Sequence, residues 1–286
     1  MRVLELGHSP DADDIFMFYA IKFGWVSGEV CFKNYALDIE SLNQAAIKSE
    51  LDISAISFAT YPLIAQEQAL LRTGVSFGSG YGPKLVKLKN KSLKRNFKVA
   101  LSGEHTTNAL IFRIAYPNAR IVYKNFLEIE NAVLSGEVDA GVLIHESILE
   151  FSDSLETEAE IWDIWRELSK EELPLPLGGM CIRRSLPLSV AIICEELLTK
   201  AVEVAVKNKE LLSKMLLERN LIRVDSDKLN TYLNLYANDT SITLSEIQLK
   251  ALNALFKIGY NAGIYSDILE AENYLIPSEY KEFRNG

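Results

Sequence analysis

Histidine and cysteine are both scarce in this chain of 286 residues, which contains only three of each. Cys31, Cys181 and Cys194 lie far apart and form no CxxC pair. A zinc or iron–sulfur cluster held by neighbouring thiols is therefore not expected. An odd number of cysteines without a spacing pattern instead predicts buried thiols in a reducing compartment.

Membrane and nucleic-acid signals are also missing. No apolar run is long enough to span a bilayer, and the first residues, MRVLELG, predict a strand rather than a signal peptide. We therefore expect a cytoplasmic protein without a membrane partner. The formal net charge of −9 argues against nucleic acid as a partner, because phosphate binding is largely a cationic effect. A small anionic ligand is compatible, since amides at a helix start can hold it.

The common cofactor and hydrolase motifs are absent. Gly78, Gly80 and Gly82 lack the strand–GxGxxG–helix setting of a dinucleotide site, and no P-loop or GxSxG elbow occurs. The acidic loop at residues 11–14 lacks the later glutamate or histidine of a calcium loop, so helix capping and loop polarity explain most of its carboxylates. We expect neither a cofactor nor a bound metal.

Short apolar strands alternate with amphipathic helices along the chain, which is the pattern of an α/β fold. The first series predicts strands at 3–6, 30–37 and 53–57, with helices at 13–23, from a Ser41 cap to 49, and at 58–66. A second series covers residues 98–144. The lysine-rich segment 84–95 predicts an exposed connector, the segment 173–179 an extended crossing, and the chain from 189 onward a set of packing helices.

Two segments, residues 46–57 and 132–145, resemble each other. Each predicts a helix end, a turn, a Glu-apolar-Asp triplet and a buried strand. The strand finishes on a polar group, which is Ser57 in the first segment and His145 in the second. We interpret the pair as two similar lobes that face each other across a cleft.

His145 is the strongest candidate for chemistry. It follows the apolar strand 140–144 at its carboxyl end, where ligands gather in open α/β sheets, and imidazole exchanges protons near neutral pH. It could act as a general base or merely cap the next helix, and the residues alone leave both readings open. The same two roles, ligand binding and helix capping, remain possible for Ser57, Thr106 and Thr107, because hydroxyls and amides at helix starts serve either purpose.

Five segments together resemble the family of 1,4-dihydroxy-6-naphthoate synthases, enzymes of the futalosine route to menaquinone. They are SPDADDIFMFY (9–19), DISAIS (52–57), GYGP (80–83), DAGVLIHE (139–146) and LPLPLGG (173–179). Their order and spacing carry the resemblance, which covers nearly the whole chain. One departure occurs at the start, where some members have SPCPND and this chain has SPDADD. The departure removes the basis for a family role at positions 11–13.

The resemblance implies the fold of type 2 periplasmic solute-binding proteins, in which two crossings join two α/β lobes. We assign residues 1–90 and 178–286 to a larger lobe and residues 91–177 to a smaller inserted lobe. The implied reaction splits cyclic dehypoxanthinyl futalosine, a small carboxylate, into 1,4-dihydroxy-6-naphthoate and dihydroxyacetone without a cofactor. His145 matches the proposed proton acceptor of the family. The implied substrate-binding residues are Ser9, Asp14, Asn43, Ala55, Ile56, Ser57, Thr106, Thr107 and Ile144.

Two other functions share this architecture. A non-catalytic protein that binds a small organic acid normally carries an export leader, which the sequence does not show. Chorismate dehydratase is the sister lyase of the same pathway. The Ile144-His145-Glu146 strand end and the LPLPLGG crossing point away from the dehydratase.

Overall fold

The computed structural model describes residues 2–222 and 224–277. Met1, Arg223 and residues 278–286, which the prediction places in the larger lobe, lie outside the described residues. The strands are β1 Arg2–His8, β2 Val30–Ala36, β3 Ile53–Ser57, β4 Gln68–Leu70, β5 Ser76–Gly78, β6 Lys84–Leu88, β7 Lys98–Leu101, β8 Arg120–Tyr123, β9 Ala140–Leu143, β10 Leu155–Glu160 and β11 Leu175–Arg183. The α-helices are α1 Ala12–Lys22, α2 Ile39–Ile47, α3 Tyr61–Ile64, α4 Thr107–Ala115, α5 Phe126–Leu134, α6 Ile161–Ser169, α7 Leu188–Lys207, α8 Lys209–Glu218, α9 Ser226–Tyr236 and α10 Glu246–Asn261.

Two β-sheets organise the described residues. The first has the strand order β2-β1-β3-β11-β4, with β5 paired to β11, and the second has the order β10-β6-β9-β7-β8. Strands β1, β2 and β3 run parallel, as do β7, β8 and β9, whereas β11 and β6 run antiparallel to their neighbours. In each sheet the parallel strands therefore end at a common edge, where α/β proteins bind ligands.

Sheet pairing divides the chain at different residues from those assigned to the lobes. β6 pairs in the second sheet although it precedes residue 91, and β11 enters the first sheet at Leu175, before residue 178. The expectation of an exposed connector at 84–95 was wrong for its first part. Leu85 and Val86 are buried in β6, while Lys84 and Lys87 form ion pairs with glutamates of β10. Such cross-strand pairs make a lysine-rich segment compatible with a strand between two neighbours.

Local packing explains three further departures. Asp38, not Ser41, caps α2, because an Asp38 side-chain oxygen accepts the backbone N–H of Ser41 at 3.2 Å. The helix expected at 58–66 is a 3₁₀ turn, Phe58–Thr60, followed by the short α3. Cys31 is exposed on the edge strand β2, whereas Cys181 and Cys194 are buried as expected.

The strand β9 delivers its carboxyl end to the gap between the sheets. All four of its residues are buried, because β6 and β7 flank it and α5 covers it. Gly141 permits the close approach of α5, since a Cβ atom there would lie 2.5 Å from a methyl carbon of Ile129. One apolar cluster continues from the first sheet to the second and includes Phe58, Phe112 and Trp165. No helix among the described residues is long and apolar enough to cross a membrane.

Candidate active site

A cavity that opens to solvent lies between the two sheets. Its mainly apolar lining with a few polar groups suits a small organic ligand. Among the residues singled out from the sequence, those that line it are Ser9, Asp14, Ala55, Ile56, Ser57, Thr106, Thr107, Ile144 and His145. Asn43 is not among the lining residues. The cavity thus brings together the carboxyl ends of β1, β3 and β9 and the start of α4.

His145 begins a 3₁₀ turn, His145–Ile148, directly after β9 and Ile144. Its φ angle is 55°, a left-handed conformation that is uncommon for a residue with a side chain and that tends to occur at functional sites. The side chain is 14% exposed, and its Nδ1 lies 2.5 Å from Oδ2 of the buried Asp11. Within the described part of the chain, the buried Nε2 has no hydrogen-bond partner. Nε2 therefore has a hydrogen-bonding position that no described residue uses.

The charges around His145 favour its protonated form. Burial alone would lower the pKa of His145, but the charge and hydrogen bond of Asp11, with smaller contributions from Glu146 and Asp14, hold it above the usual value. Burial alone would raise the pKa of Asp11, yet the attraction of His145 outweighs it, and the pKa lies below the usual value. The pair therefore combines an ionised carboxylate with an imidazole of increased basicity.

Helix capping, expected together with loop polarity for most of the acidic loop, does not apply to Asp11. This residue occupies the N-cap position of α1 but makes no side-chain capping hydrogen bond. The N–H of Ala12 instead donates to Oε1 of Glu146 at 2.9 Å. A glutamate that follows β9 in the second sheet thus binds a helix start next to the first sheet.

The other two carboxyl groups of the loop are buried, and each takes part in a hydrogen bond. The N–H of Ser9 donates to Oδ2 of Asp14 at 2.7 Å, and the Tyr232 hydroxyl lies 3.3 Å from Oδ1 of Asp13. Burial, helped by the charge of Asp11, raises the pKa of Asp14 to about 8. Burial and the neighbouring carboxylates also hold the pKa of Asp13 well above its usual value.

Three of these residues could in principle ligate a metal. Asp11, Asp13 and His145 each place one ligating atom within 4.8 Å of the others. However, Nδ1 of His145 and Oδ2 of Asp11 bind each other directly at 2.5 Å, so these two atoms face one another rather than a shared ion. The geometry favours a hydrogen-bonded pair.

Asn43 supports Ser57 from behind the cavity wall. The Ser57 N–H donates to Oδ1 of Asn43 at 2.8 Å, and Nδ2 of Asn43 donates to the Ser57 hydroxyl oxygen at 3.2 Å. Asn43 is fully buried and lies on α2. It therefore fixes the position of Ser57 without lining the cavity itself.

The two threonines at the start of α4 have different contacts. The Thr106 side chain caps the helix by accepting the Ala109 N–H at 3.3 Å. The Thr107 hydroxyl accepts the Ala59 N–H and donates to the carbonyl of Leu177, at 3.2 and 2.9 Å. Because these hydroxyls already have partners, the backbone amides of the first turn are the groups that suit an anion.

The remaining histidines have other surroundings. His8 is buried, with Nδ1 2.8 Å from the Ser9 carbonyl oxygen, and burial lowers its pKa. His105 lies 2.7 Å through Nδ1 from Oε1 of Glu40, which belongs to α2. Neither histidine lines the cavity. The contact of His105 instead joins the segment before α4 to a helix that packs on the first sheet.

Several residues that line the cavity were not among the site residues predicted from the sequence. They are Asp11, Asp13, Ser76, Asn108, Leu177, Gly178, Gly179, Tyr232 and Tyr236. The LPLPLGG segment was a usable signal for the glycines, because a Cβ atom on Gly178 would lie 3.0 Å from the Ile56 carbonyl oxygen. No sequence signal indicated Tyr232 and Tyr236, because the sequence predicted α9 only as a packing helix.

Comparison with solved structures confirms the fold. The chain is similar to a crystal structure of an Archaeoglobus fulgidus protein, with 31% identity, a TM-score of 0.85, and coverage of 92% of this chain and 98% of that chain. It is also similar in fold to the alkanesulfonate-binding protein SsuA from Xanthomonas axonopodis pv. citri bound to MOPS. That likeness has 11% identity, a TM-score of 0.69, and coverage of 96% and 98%. The protein therefore has the two-lobed α/β fold of periplasmic binding proteins.

Sequence comparison confirms the resemblance found in the motifs. The chain is 29% identical over 258 residues to the 1,4-dihydroxy-6-naphthoate synthase of Thermus thermophilus, covering 90% of this chain and 93% of the relative. The model of the family described as menaquinone biosynthesis matches residues 4–261. On this evidence the chain belongs to the menaquinone biosynthesis family.

Proposed function

We propose that the protein is a 1,4-dihydroxy-6-naphthoate synthase. In this proposal it is a cofactor-independent lyase that splits cyclic dehypoxanthinyl futalosine into 1,4-dihydroxy-6-naphthoate and dihydroxyacetone. The observation that carries the proposal is that His145, with a buried carboxylate at Nδ1, lies in the wall of the cavity between the sheets. Family membership and the name of the Thermus relative supply the substrate class.

In the proposed reaction His145 acts as the general base. Nε2 removes a proton from the carbon beside the substrate ketone, and the electron pair of the C–H bond becomes an enolate. Cleavage of the carbon–carbon and carbon–oxygen bonds to the sugar follows, and aromatisation of the naphthalene ring makes the sequence downhill. Such a reaction needs a positioned base, donors for the enolate charge and a cleft that excludes water.

The other lining residues have binding roles in this proposal. Thr106 and Thr107 line the cavity at the start of α4. First-turn N–H groups there would donate to a substrate carboxylate or enolate oxygen. Ser57, held by Asn43, offers a hydroxyl at the end of β3, and Ser9 and Asp14 offer polar groups after β1. An apolar wall against the substrate rings is formed by Ala55, Ile56 and Ile144.

Cytoplasmic location is part of the proposal. Cys181 and Cys194 are buried, and burial raises the pKa of each thiol to about 12. Buried, unreactive thiols suit a reducing compartment. Cell fractionation followed by immunoblotting should recover the protein with cytoplasmic markers, and recovery from a periplasmic or extracellular fraction would contradict this part.

The direct test incubates the purified protein with cyclic dehypoxanthinyl futalosine and follows both products by chromatography and mass spectrometry. We expect both products in equal amounts without an added cofactor. His145→Asn should lower turnover ~100-fold or more, because it removes the base, while circular dichroism shows an unchanged fold.

Three outcomes would contradict the proposal or one of its roles. Tight substrate binding without any product would indicate a binding protein. Loss of water from chorismate, with no reaction of the futalosine derivative, would indicate the dehydratase. Near-normal turnover by a folded His145→Asn variant would remove His145 from the mechanism.

A further inference from the structure

We propose that Asp11 is a positioning residue that orients His145, so that the two side chains act as a carboxylate–imidazole dyad. This inference rests on the proposed function for its catalytic consequence. Its structural part can be tested without any substrate. It assigns a role to a position where the family resemblance offered none, since some members carry cysteine where this chain has Asp11.

The first support is the contact itself. Oδ2 of Asp11 and Nδ1 of His145 are 2.5 Å apart, and the Asp11 side chain is only 4% exposed. A short contact between a buried carboxylate and a ring nitrogen places the ring proton on Nδ1. The neutral ring then keeps its lone pair on Nε2, which is buried and has no partner within the described residues.

The second support is the way in which the start of α1 is satisfied. An aspartate at an N-cap position normally binds the amides of the first turn, and Asp11 does not. The Ala12 N–H donates instead to the carboxylate of Glu146, the residue after His145. Two contacts therefore cross between the loop after β1 and the turn after β9, and the one made by Glu146 leaves the Asp11 carboxylate to His145.

The third support is the electrostatic setting of the ring. The titratable groups around it are Asp11, Asp13 and Asp14 at the start of α1, Glu146 on its own turn, and Tyr232 on α9. Burial acts against a charged ring, but Asp11 acts by both charge and hydrogen bond and is the largest opposing influence. Phe126 also contacts the ring, in a T-shaped arrangement with 4.9 Å between centroids, and it carries no charge.

These contacts define what Asp11 does during proton transfer. When Nε2 accepts the substrate proton, the ring becomes an imidazolium, and the C–H electron pair stays on the substrate. The Asp11 carboxylate stabilises the positive charge through the Nδ1–H bond and does not take the proton itself. The same bond keeps the ring from rotating away from the cavity.

The test measures the ring titration of His145 by NMR in protein labelled on histidine. Only three histidines occur, and the signals missing in His145→Asn identify those of residue 145. We expect a titration midpoint above 6.5 in the unchanged protein, and a fall of ~1 pH unit or more in Asp11→Asn. Asp163→Asn, at an exposed position of α6, is the matched control and should leave the midpoint unchanged.

Kinetics supply the catalytic readout. In Asp11→Asn the acidic limb of kcat/KM against pH should move to lower pH, and kcat should fall ~100-fold or more, because the new amide can also donate to Nδ1 and select the wrong tautomer. A purely structural role would lower the amount of folded enzyme without moving the limb. Asp11→Ala, which removes the carboxylate without placing another donor beside Nδ1, serves if the asparagine variant does not fold.

The possible outcomes separate the two proposals. A His145 midpoint that is the same in the unchanged protein and in a folded Asp11 variant overturns the dyad, whatever the substrate. A shifted midpoint in a protein that does not turn over the futalosine derivative supports the dyad and overturns the proposed function. If the His145 titration midpoint shifts but the acidic limb of kcat/KM does not move, Asp11 has no part in catalysis.

Discussion

At the scale of single residues, Asn43 shows how a side chain outside the cavity controls one that lines it. Asn43→Ala would leave the Ser57 N–H in a buried position without its acceptor. We expect a loss of ~1–3 kcal/mol in the free energy of unfolding, measured by urea denaturation, and a raised KM because Ser57 is no longer fixed. Asn131→Ala, at an exposed position of α5, is the matched control and should change stability by less than ~0.5 kcal/mol. Equal stability losses in the two variants would contradict the supporting role of Asn43.

Single residues were predictable where rarity and position coincide. His145 stood out because histidine is scarce and because β9 is a plain apolar strand that ends beside it. Asp11 was misread, because a carboxylate before a helix has an ordinary local use as a cap, and the sequence does not show that Glu146 binds the helix start instead. Contacts between segments far apart in the chain depend on how the lobes pack, which no local pattern reveals.

At the scale of elements, the start of α1 concentrates three buried carboxyl groups, and this has a consequence for stability. The pKa of Asp14 is raised from 3.8 to about 8, with burial as the main cause. Between these values the folded chain holds a proton that the unfolded chain has released, so the contribution of Asp14 to stability decreases as the pH rises. Asp14→Asn keeps an oxygen for the Ser9 N–H but removes the ionisation.

Urea denaturation from pH 5 to 8 measures this contribution. Relative to the unchanged protein, Asp14→Asn should gain stability as the pH rises, by up to ~1.4 kcal/mol per pH unit. Asp163→Asn should follow the unchanged protein across the range. If the curves for Asp14→Asn and the unchanged protein run parallel, the carboxyl of Asp14 does not hold its proton in this range.

Elements were predictable where burial and composition agree. The sequence predicted β3 and β9 well, since each is a short apolar run with a turn before it. It missed β6, because the lysines of this strand read as an exposed segment, although ion pairs to β10 accommodate them. It also predicted an extended crossing for the first part of β11, since prolines rarely occur inside a sheet. In the structure, Pro176 lies beside a register shift in the pairing with β5.

At the scale of the whole molecule, the predicted pair of lobes is confirmed, but the contacts that join them were not predictable. Besides the pair of His145 and Asp11, the Thr107 hydroxyl bridges Ala59 and Leu177. Glu40 of α2 meets His105 twice, since one carboxylate oxygen accepts the His105 N–H at 3.0 Å and the other lies 2.7 Å from Nδ1. Together these contacts hold the cavity walls at their present separation.

The contact of Glu40 and His105 lies outside the cavity lining, so it allows closure to be changed without touching the chemistry. Glu40→Gln removes the charge, and Gly103→Ala inserts a Cβ atom that would lie 2.3 Å from a Glu40 carboxylate oxygen. We expect both variants to favour a more open molecule, with a larger radius of gyration in X-ray scattering and a KM that rises more than kcat falls, because closed lobes bind substrate and exclude water. Glu218→Gln, at an exposed position of α8, should scatter like the unchanged protein. Superimposable scattering from all four proteins, with equal KM values, would show that this contact does not control closure.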